Sequence, residues 1–462
     1  MSVECRMKNA ELKNGKWEME NGKWKMRAAL WNSVRSVSSV LFLFLSFQNI
    51  NAQSVDSLIN EALLNNPQLK SQQYKISASE FRAESVNNYP APSLSLEFSQ
   101  TPVSETNIFN ESISNNLSLS QMFPLGGKIG AMAEVEKRNI NVEKNTLEVY
   151  KINLIAQIRM TYFTLWTIEK KIEVQNKNIF LLNDLIKSIE VSYAVNRINQ
   201  ADLLTIQSEI AANETLLLIL NNQKEAEIYK LNKLLGRVLD SRNVYTLQDT
   251  PADTIKYSQP ELVELLQKTN PSLNRMNSMI EMNRSMITAN NKELIPDLML
   301  QGMIMRMPRG MILTSKADLT MLDAKTDYMY SLMASITLPF APWSINKIKA
   351  KEEELYAGIS SIEYERNDMA RDMTAKFNEA YLKYNTANNL VRLYTNNVLP
   401  LYGKAAEAQV SAYQNGRTNI NTVIDSYRML LMQQMNYYMA KADIQMAVAE
   451  MEMMVGQRLE NK

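Results

Sequence analysis

Sulfur is the first place to look for chemistry in this chain. Its 462 residues include 29 methionines, one cysteine (Cys5) and no histidine. Most of the methionines lie after residue 275. Met299, Met303, Met305 and Met307 occupy alternate positions of one stretch, and Met311, Met321, Met329 and Met333 follow nearby. Thioethers are soft ligands that suit Cu(I) and Ag(I). Two readings stand for this group: a soft-metal track containing Met303, Met305 and Met307, or flexible filler of irregular gaps. A second group, Met429, Met432, Met435 and Met439, steps by three and four and reads as core packing of a helix.

The missing residue types exclude much else. Without histidine, and with a lone cysteine near the amino terminus, common catalytic triads, Cys/His zinc sites and disulfides are ruled out. The carboxylates Glu352, Glu353 and Glu354 stand beside Lys347, Lys349 and Lys351 and read as a solvated helix face. No catalytic residue or cofactor is expected. With 50 basic and 49 acidic residues, nothing favours nucleic acid.

The elements that must position these residues are long. Between Ala131 and Leu235 there is neither proline nor glycine. Ile168, Ile172, Ile179, Leu182, Ile186, Ile189 and Tyr193 recur at coiled-coil spacing, as do Leu203, Ile206, Ile210, Leu217 and Leu220. The stripe lapses between Asn196 and Asp202. The spacing predicts two antiparallel helices meeting in a turn there, the first covering 128–195 and about 100 Å long at about 1.5 Å per residue.

Residues 26–52 carry a secretory signal pattern: Arg27 and Arg35, an apolar core from Val40 to Phe47, and a cleavage site at Ile50-Asn51-Ala52. The mature chain is expected to begin at Gln53, with Met26 as the start and the residues before it as an upstream extension. Residues 54–88 read as helix, interrupted at Asn66-Pro67. Then the period changes to two. Leu94, Leu96 and Phe98 alternate with serine and glutamate. Ile113, Leu117 and Leu119 alternate with serine and asparagine. These are two strands with one apolar and one small-polar face.

The plan then repeats. Asn66-Pro67 and Pro92 are matched by Asn270-Pro271 and Pro296. Tyr193, Asn196, Arg197, Asn199 and Gly236 are matched by Tyr413, Gly416, Arg417, Asn419 and Gly456 at one common offset. The chain divides into an upstream extension and signal (1–52), a first repeat (53–236), a linker (237–259) and a second repeat (260–457). The second repeat's strands are expected near 297–307 and 328–338. The fold class is mainly α with a small β part, built from a duplicated strand-strand-long-helix unit. Four alternating strands cannot close a barrel, and open strand edges are not tolerated in lipid. Membrane insertion would therefore require oligomerisation, and three chains would supply twelve strands. A small soluble sheet capping a coiled coil is the rival reading.

Together these motifs resemble the TolC-type outer-membrane factors of tripartite efflux pumps. The resemblance rests on the duplicated plan, on Gln121-Met122-Phe123-Pro124-Leu125-Gly126-Gly127-Lys128 entering the long helix, on the paired turns, and on Leu234-Leu235-Gly236 and Met454-Val455-Gly456. Overall similarity leans toward the heavy-metal branch. The resemblance implies a homotrimer with a twelve-stranded outer-membrane β-barrel, continued by an α-helical coiled-coil barrel through the periplasm. It implies outer-membrane lipid, a periplasmic adaptor protein and an inner-membrane RND-type transporter as partners. The function implied is that of a passive exit duct, with copper, silver or other heavy-metal cations as candidate cargo. The turn residues Tyr193, Asn196, Arg197, Asn199, Tyr413, Gly416 and Asn419 would meet the adaptor. Asp202, Arg417 and Asp425 would form the periplasmic gate, with Thr422 at the family's other acidic lining position. Asn196 replaces the usual turn glycine and is expected to keep its left-handed conformation. A periplasmic adaptor or structural coiled-coil protein without a barrel is the alternative from another class.

Overall fold

The computed structural model describes residues 17–20, 23–26, 54–101, 103–104, 106–194, 200–239, 255, 257–308 and 326–459. They fall into two units divided after Gln53. In the first, β1 (Trp17–Glu20) pairs antiparallel with β2 (Lys23–Met26), a hairpin that the sequence reading does not anticipate. The expected signal segment beyond Met26 lies outside the described residues.

The second unit begins with α1 (Val55–Asn65) and α2 (Pro67–Val86). Ser54 caps α1. Asn66 caps α2, its Oδ1 accepting from the Gln68 and Leu69 amides, and Pro67 sits where a helix needs no amide hydrogen. Next come β3 (Ser93–Ser99), a short helix α3 (Ile108–Glu111) and β4 (Ser114–Pro124). The long hairpin is α4 (Lys128–Ala194) and α5 (Gln200–Leu235). The second half mirrors this order: α6 (Gln259–Thr269), α7 (Pro271–Lys292), β5 (Asp297–Met307), β6 (Asp327–Ile336) and α8 (Pro342–Leu393).

Here the halves diverge. The helix after β6 is interrupted by a π-turn at Tyr394–Val398 before α9 (Leu399–Gln414) and α10 (Ile420–Val455). Pro400 is the cause. It has no amide hydrogen and its ring crowds the carbonyl four residues back. The Leu399 amide accordingly reaches back to the Tyr394 carbonyl, one residue further than in an α-helix.

The four strands form one antiparallel sheet in the order β3-β4-β5-β6, so the two halves meet at the β4–β5 pairing. The register aligns parity across all four. Leu94 faces Leu119, Leu117 faces Ile304, and Leu300 faces Ala334. One face therefore reads Leu, Leu, Ile, Tyr across the sheet, and much of it is exposed: Leu94, Leu96, Leu119, Ile304, Tyr328, Tyr330 and Leu332. The opposite face is polar and more sheltered, with Asn116 and Ser118 buried. Ser93 and Ser120 share a hydrogen bond of 2.7 Å, and Ser95 and Ser118 one of 2.6 Å.

Two cores lie where α1–α2 and α6–α7 cross the long helices. The first gathers Leu58, Leu69, Ile158, Tyr162, Leu231 and Leu235. The second gathers Leu262, Leu273, Phe377, Val448, Met451 and Val455. The expected core role of Met429 and Met432 is corrected: both are about half exposed, at 51% and 53%. They occupy a stretch of α10 between the core at the turn and the core around Val448. The methionines of α10 that do fill a core are Met451 and Met454.

Candidate functional site

The long hairpins end in two turns. Of the first, Asn196, Arg197 and Asn199 lie outside the described residues, and Tyr193 is placed only as part of α4. The left-handed turn expected at Asn196 lies outside the described residues with it. The second turn is fully drawn. Gly416 has φ +69°, its amide bonding the Tyr413 carbonyl and the Arg417 amide the Ala412 carbonyl. Asn419 caps α10, its Oδ1 accepting from the Thr422 amide and hydroxyl. Gly416, Asn419 and Thr422 thus all serve the turn itself.

Beneath the turn a small core of Leu185, Ile206, Ile420, Val423 and Ile424 joins the hairpins. Polar ties ring it. The Tyr413 hydroxyl donates to Asp202 at 3.4 Å. Burial, together with the Asp202 charge and hydrogen bond, pushes the Tyr413 phenol up to about 12, so it stays a donor. Arg417 is exposed and takes part through its backbone. Asp425 pairs with Arg428 at 3.2 Å, one turn along α10. The structure thus brings Asp202 to Tyr413 and Asp425 to Arg428.

Sequence reasoning missed the larger tie. Arg428 reaches from α10 to Glu209 on α5, with Nε to Oε1 at 3.1 Å and a second contact from Nη2. Glu209 also accepts from Asn213, whose Oδ1 accepts from Gln175 and Asn178 on α4. Burial pushes the Glu209 carboxyl up, but hydrogen bonds from Arg428 and Asn213 and the Arg428 charge outweigh it and hold it below its ordinary 4.5. The signal in the sequence was polarity at heptad core positions: Gln175, Asn178 and Asn213 sit where a coiled coil wants apolar residues.

At the other end of α4, Lys128 is buried and pairs with Asp297 at 2.8 Å and Glu293 at 3.5 Å. This ties the entrance of the long helix to the start of β5 and explains why the run ending Gly126-Gly127-Lys128 sits there. Above it, the methionines expected as a soft-metal track share the polar face. Met303 pairs with Ser118 and Ser331, and Met305 with Asn116 and Met329. Met307 closes the strand opposite Asp327. Among the described residues, no group of three or more Asp, Glu, Cys or His is arranged to hold a metal ion.

This arrangement, long hairpins below a sheet with one apolar face, is what the comparisons can be set against. A profile of the outer membrane efflux protein family matches residues 58–237. Comparison with curated proteins by sequence gives no match. Among solved structures, the outer-membrane channel OprN superposes with a TM-score of 0.70 at 15% identity, covering 88% of this chain and 91% of that one. CusC, described through its transmembrane channel formation, gives 0.67 at 15% identity over 87% and 92%. The outer membrane protein VceC of Vibrio cholerae gives 0.67 at 14% identity over 88% and 97%. At these identities the likeness concerns the fold. Proteins of the outer membrane efflux family, whose profile residues 58–237 match, span the outer membrane and extend into the periplasm as exit ducts of efflux pumps. Members of that family are passive channels and not enzymes.

Proposed function

We propose that three copies of this chain close a twelve-stranded barrel and form the exit duct of a tripartite pump with a periplasmic adaptor and an inner-membrane RND-type transporter. One observation carries this reading. Among the described residues, the sheet has four strands, two unpaired edges (β3 and β6) and an exposed apolar face. Lipid accepts such a face but not the edges, and a neighbouring copy would pair them. The helices support it further. Leu204, Leu218 and Ile219 of α5 are exposed, as are Phe180, Tyr364 and Leu382. Such apolar surface calls for a partner.

In this reading residues 53–236 and 260–457 are two repeats joined by 237–259, and residues 1–52 hold the upstream extension and signal peptide. The turns carrying Tyr193, Asn196, Arg197, Asn199, Tyr413, Gly416 and Asn419 meet the adaptor. Asp202, Arg417 and Asp425 govern the entrance, a ring of three Asp425 carboxylates attracting cations. Copper and silver ions are the cargo class that the methionines favour. Light scattering of the detergent-solubilised protein is expected to give a trimer, and planar bilayers a discrete conductance. Asp425→Ala is expected to weaken cation block, and Asp202→Ala with Arg417→Ala to raise conductance. A monomer that stays soluble without detergent would remove the barrel and the duct together.

A further inference from the structure

The sheet's polar face holds more sulfur than the sequence pattern alone brings together. Met122 of β4 lies opposite Met299 of β5, and Met305 lies opposite Met329 of β6. With Met303, Met307 and Met333, methionines from three adjacent strands stand on one face. Side chains directly opposed on one face have Cβ atoms about 4.5–5.5 Å apart, and successive same-face positions lie about 6.6 Å along a strand. Met303, Met305 and Met329 can therefore converge on one point.

Their surroundings are not those of core filler. Met303 is flanked by Ser118 and Ser331, and Met305 by Asn116. Met299 and Met333 are 38% and 48% exposed. A methionine that fills a gap packs against apolar neighbours, whereas these stand among hydroxyls and amides. A second observation points to the same spot. Asn116 is 7% exposed, and its Oδ1 is buried with no hydrogen-bond partner. A buried carbonyl oxygen without a donor is costly, and a cation would satisfy it. Among the carboxylates of this face, Glu97 stands opposite Asn116 in the row of Met305 and Met329, Asp327 stands one row away opposite Met307, and Asp297 lies at the far end of β5. The thioethers are soft donors, which suit a soft monovalent cation better than Ca²⁺ or Mg²⁺.

We propose that this face holds a binding site for a soft monovalent cation, Ag(I) or Cu(I), formed by the thioethers of Met303, Met305 and Met329 beside Asn116 Oδ1. The site rests on the duct reading, which puts the polar face on the water-filled side. It makes the duct wall a weak relay for the ion rather than an inert surface, since exit requires that bound ions leave again.

The test is calorimetric titration of Ag(I), in chloride-free buffer, into the full-length trimer in detergent. The parent is expected to bind, and M305L/M329L to bind about tenfold more weakly, because leucine keeps the volume and removes the soft donor. M429L/M432L, on the exposed stretch of α10, is expected to bind like the parent. If M305L/M329L does not assemble, M303L and M329L are read singly, each with a several-fold loss. Equal Ag(I) binding by parent and sheet variants overturns the site. So does an equal loss in M429L/M432L, or a face that takes up an aromatic dye but no silver. Planar-bilayer conductance separates the two claims. A parent that conducts but binds no silver overturns the site alone, whereas a parent that forms no pore overturns the duct.

Discussion

Where each half of the chain turns back on itself the two halves use the same parts, and where each enters the sheet they use different ones. In the first joint, Asn66 caps α2 and its Nδ2 donates to the Leu234 carbonyl at 2.8 Å; in the second, Asn270 caps α7 and donates to the Met454 carbonyl at 2.6 Å. A left-handed glycine follows each carbonyl, Gly236 at φ +72° and Gly456 at φ +89°. A Cβ on Gly236 would meet the Asn65 carbonyl at 2.6 Å, and one on Gly456 the Thr269 carbonyl at 2.9 Å. The sheet obeys no such symmetry. One face carries Ser93, Ser95, Ser118 and Ser120 from the first half but Met299, Met303, Met305, Met329 and Met333 from the second. Geometry that closes the fold is held in duplicate, whereas the polar face of the sheet differs between the halves.

The sharpest way to break this likeness is through a charged tie at the second joint. Arg159 of α4 and Glu452 of α10 form a buried ion pair at 2.7 Å, and Glu452 also accepts from the Leu459 amide. The matching residue in the first joint is Asn232, which has no charge. Arg159→Met strands a buried carboxylate and is expected to lower unfolding free energy by about 3–5 kcal/mol, with Glu452→Met restoring most of it. Denaturant titration followed by helix circular dichroism reads both. Next in size, Gly236→Ala and Gly456→Ala are each expected to cost about 2 kcal/mol through left-handed strain and the carbonyl contact. A loss at only one position would show that the joints are not equivalent. Asn66→Ala and Asn270→Ala follow, at about 1 kcal/mol each for the lost cap.

Acid should loosen the turn. Glu209 has a lowered pKa, so its tie to Arg428 is complete above pH 4.5 and is lost as pH falls through the folded value. Hydrogen exchange near Glu209 and Asn213 is expected to quicken below pH 4.5, and Glu209→Gln to remove that dependence. The smallest effect belongs to the serine ladder. Ser93→Ala should shift stability by less than about 0.5 kcal/mol, because the site is exposed and its partner Ser120 is only part-buried.

Much of this architecture was legible because it rests on periods and caps. The change from helical spacing to alternation located every strand of the large sheet to within a few residues. Asn66-Pro67 and Asn270-Pro271 announced their helix starts. The face occupied by the methionines was not legible. Alternation shows that Met303 and Met305 share a face, but only pairing with β4 shows that Asn116 and Ser118 share it with them. Glu209 and Arg428 lie 219 positions apart and meet through folding alone. The four-residue helix α3 is too short to carry a period. Pro400 was visible, yet its effect depends on the helix continuing past it.

That proline sets the phase of everything below it. A π-turn accommodates one residue more than the α-helix it interrupts, and each residue of a helix turns its successors by about 100°. Deleting one residue within 394–398 would rotate the whole of α9 by that amount. Val410 and Tyr413, which now pack over Ile206 and Ile424, would swing off the turn, and Tyr413 would lose Asp202. The irregular turn is thus a clocking device that brings a hydroxyl to a carboxylate some fifteen residues further along the rod.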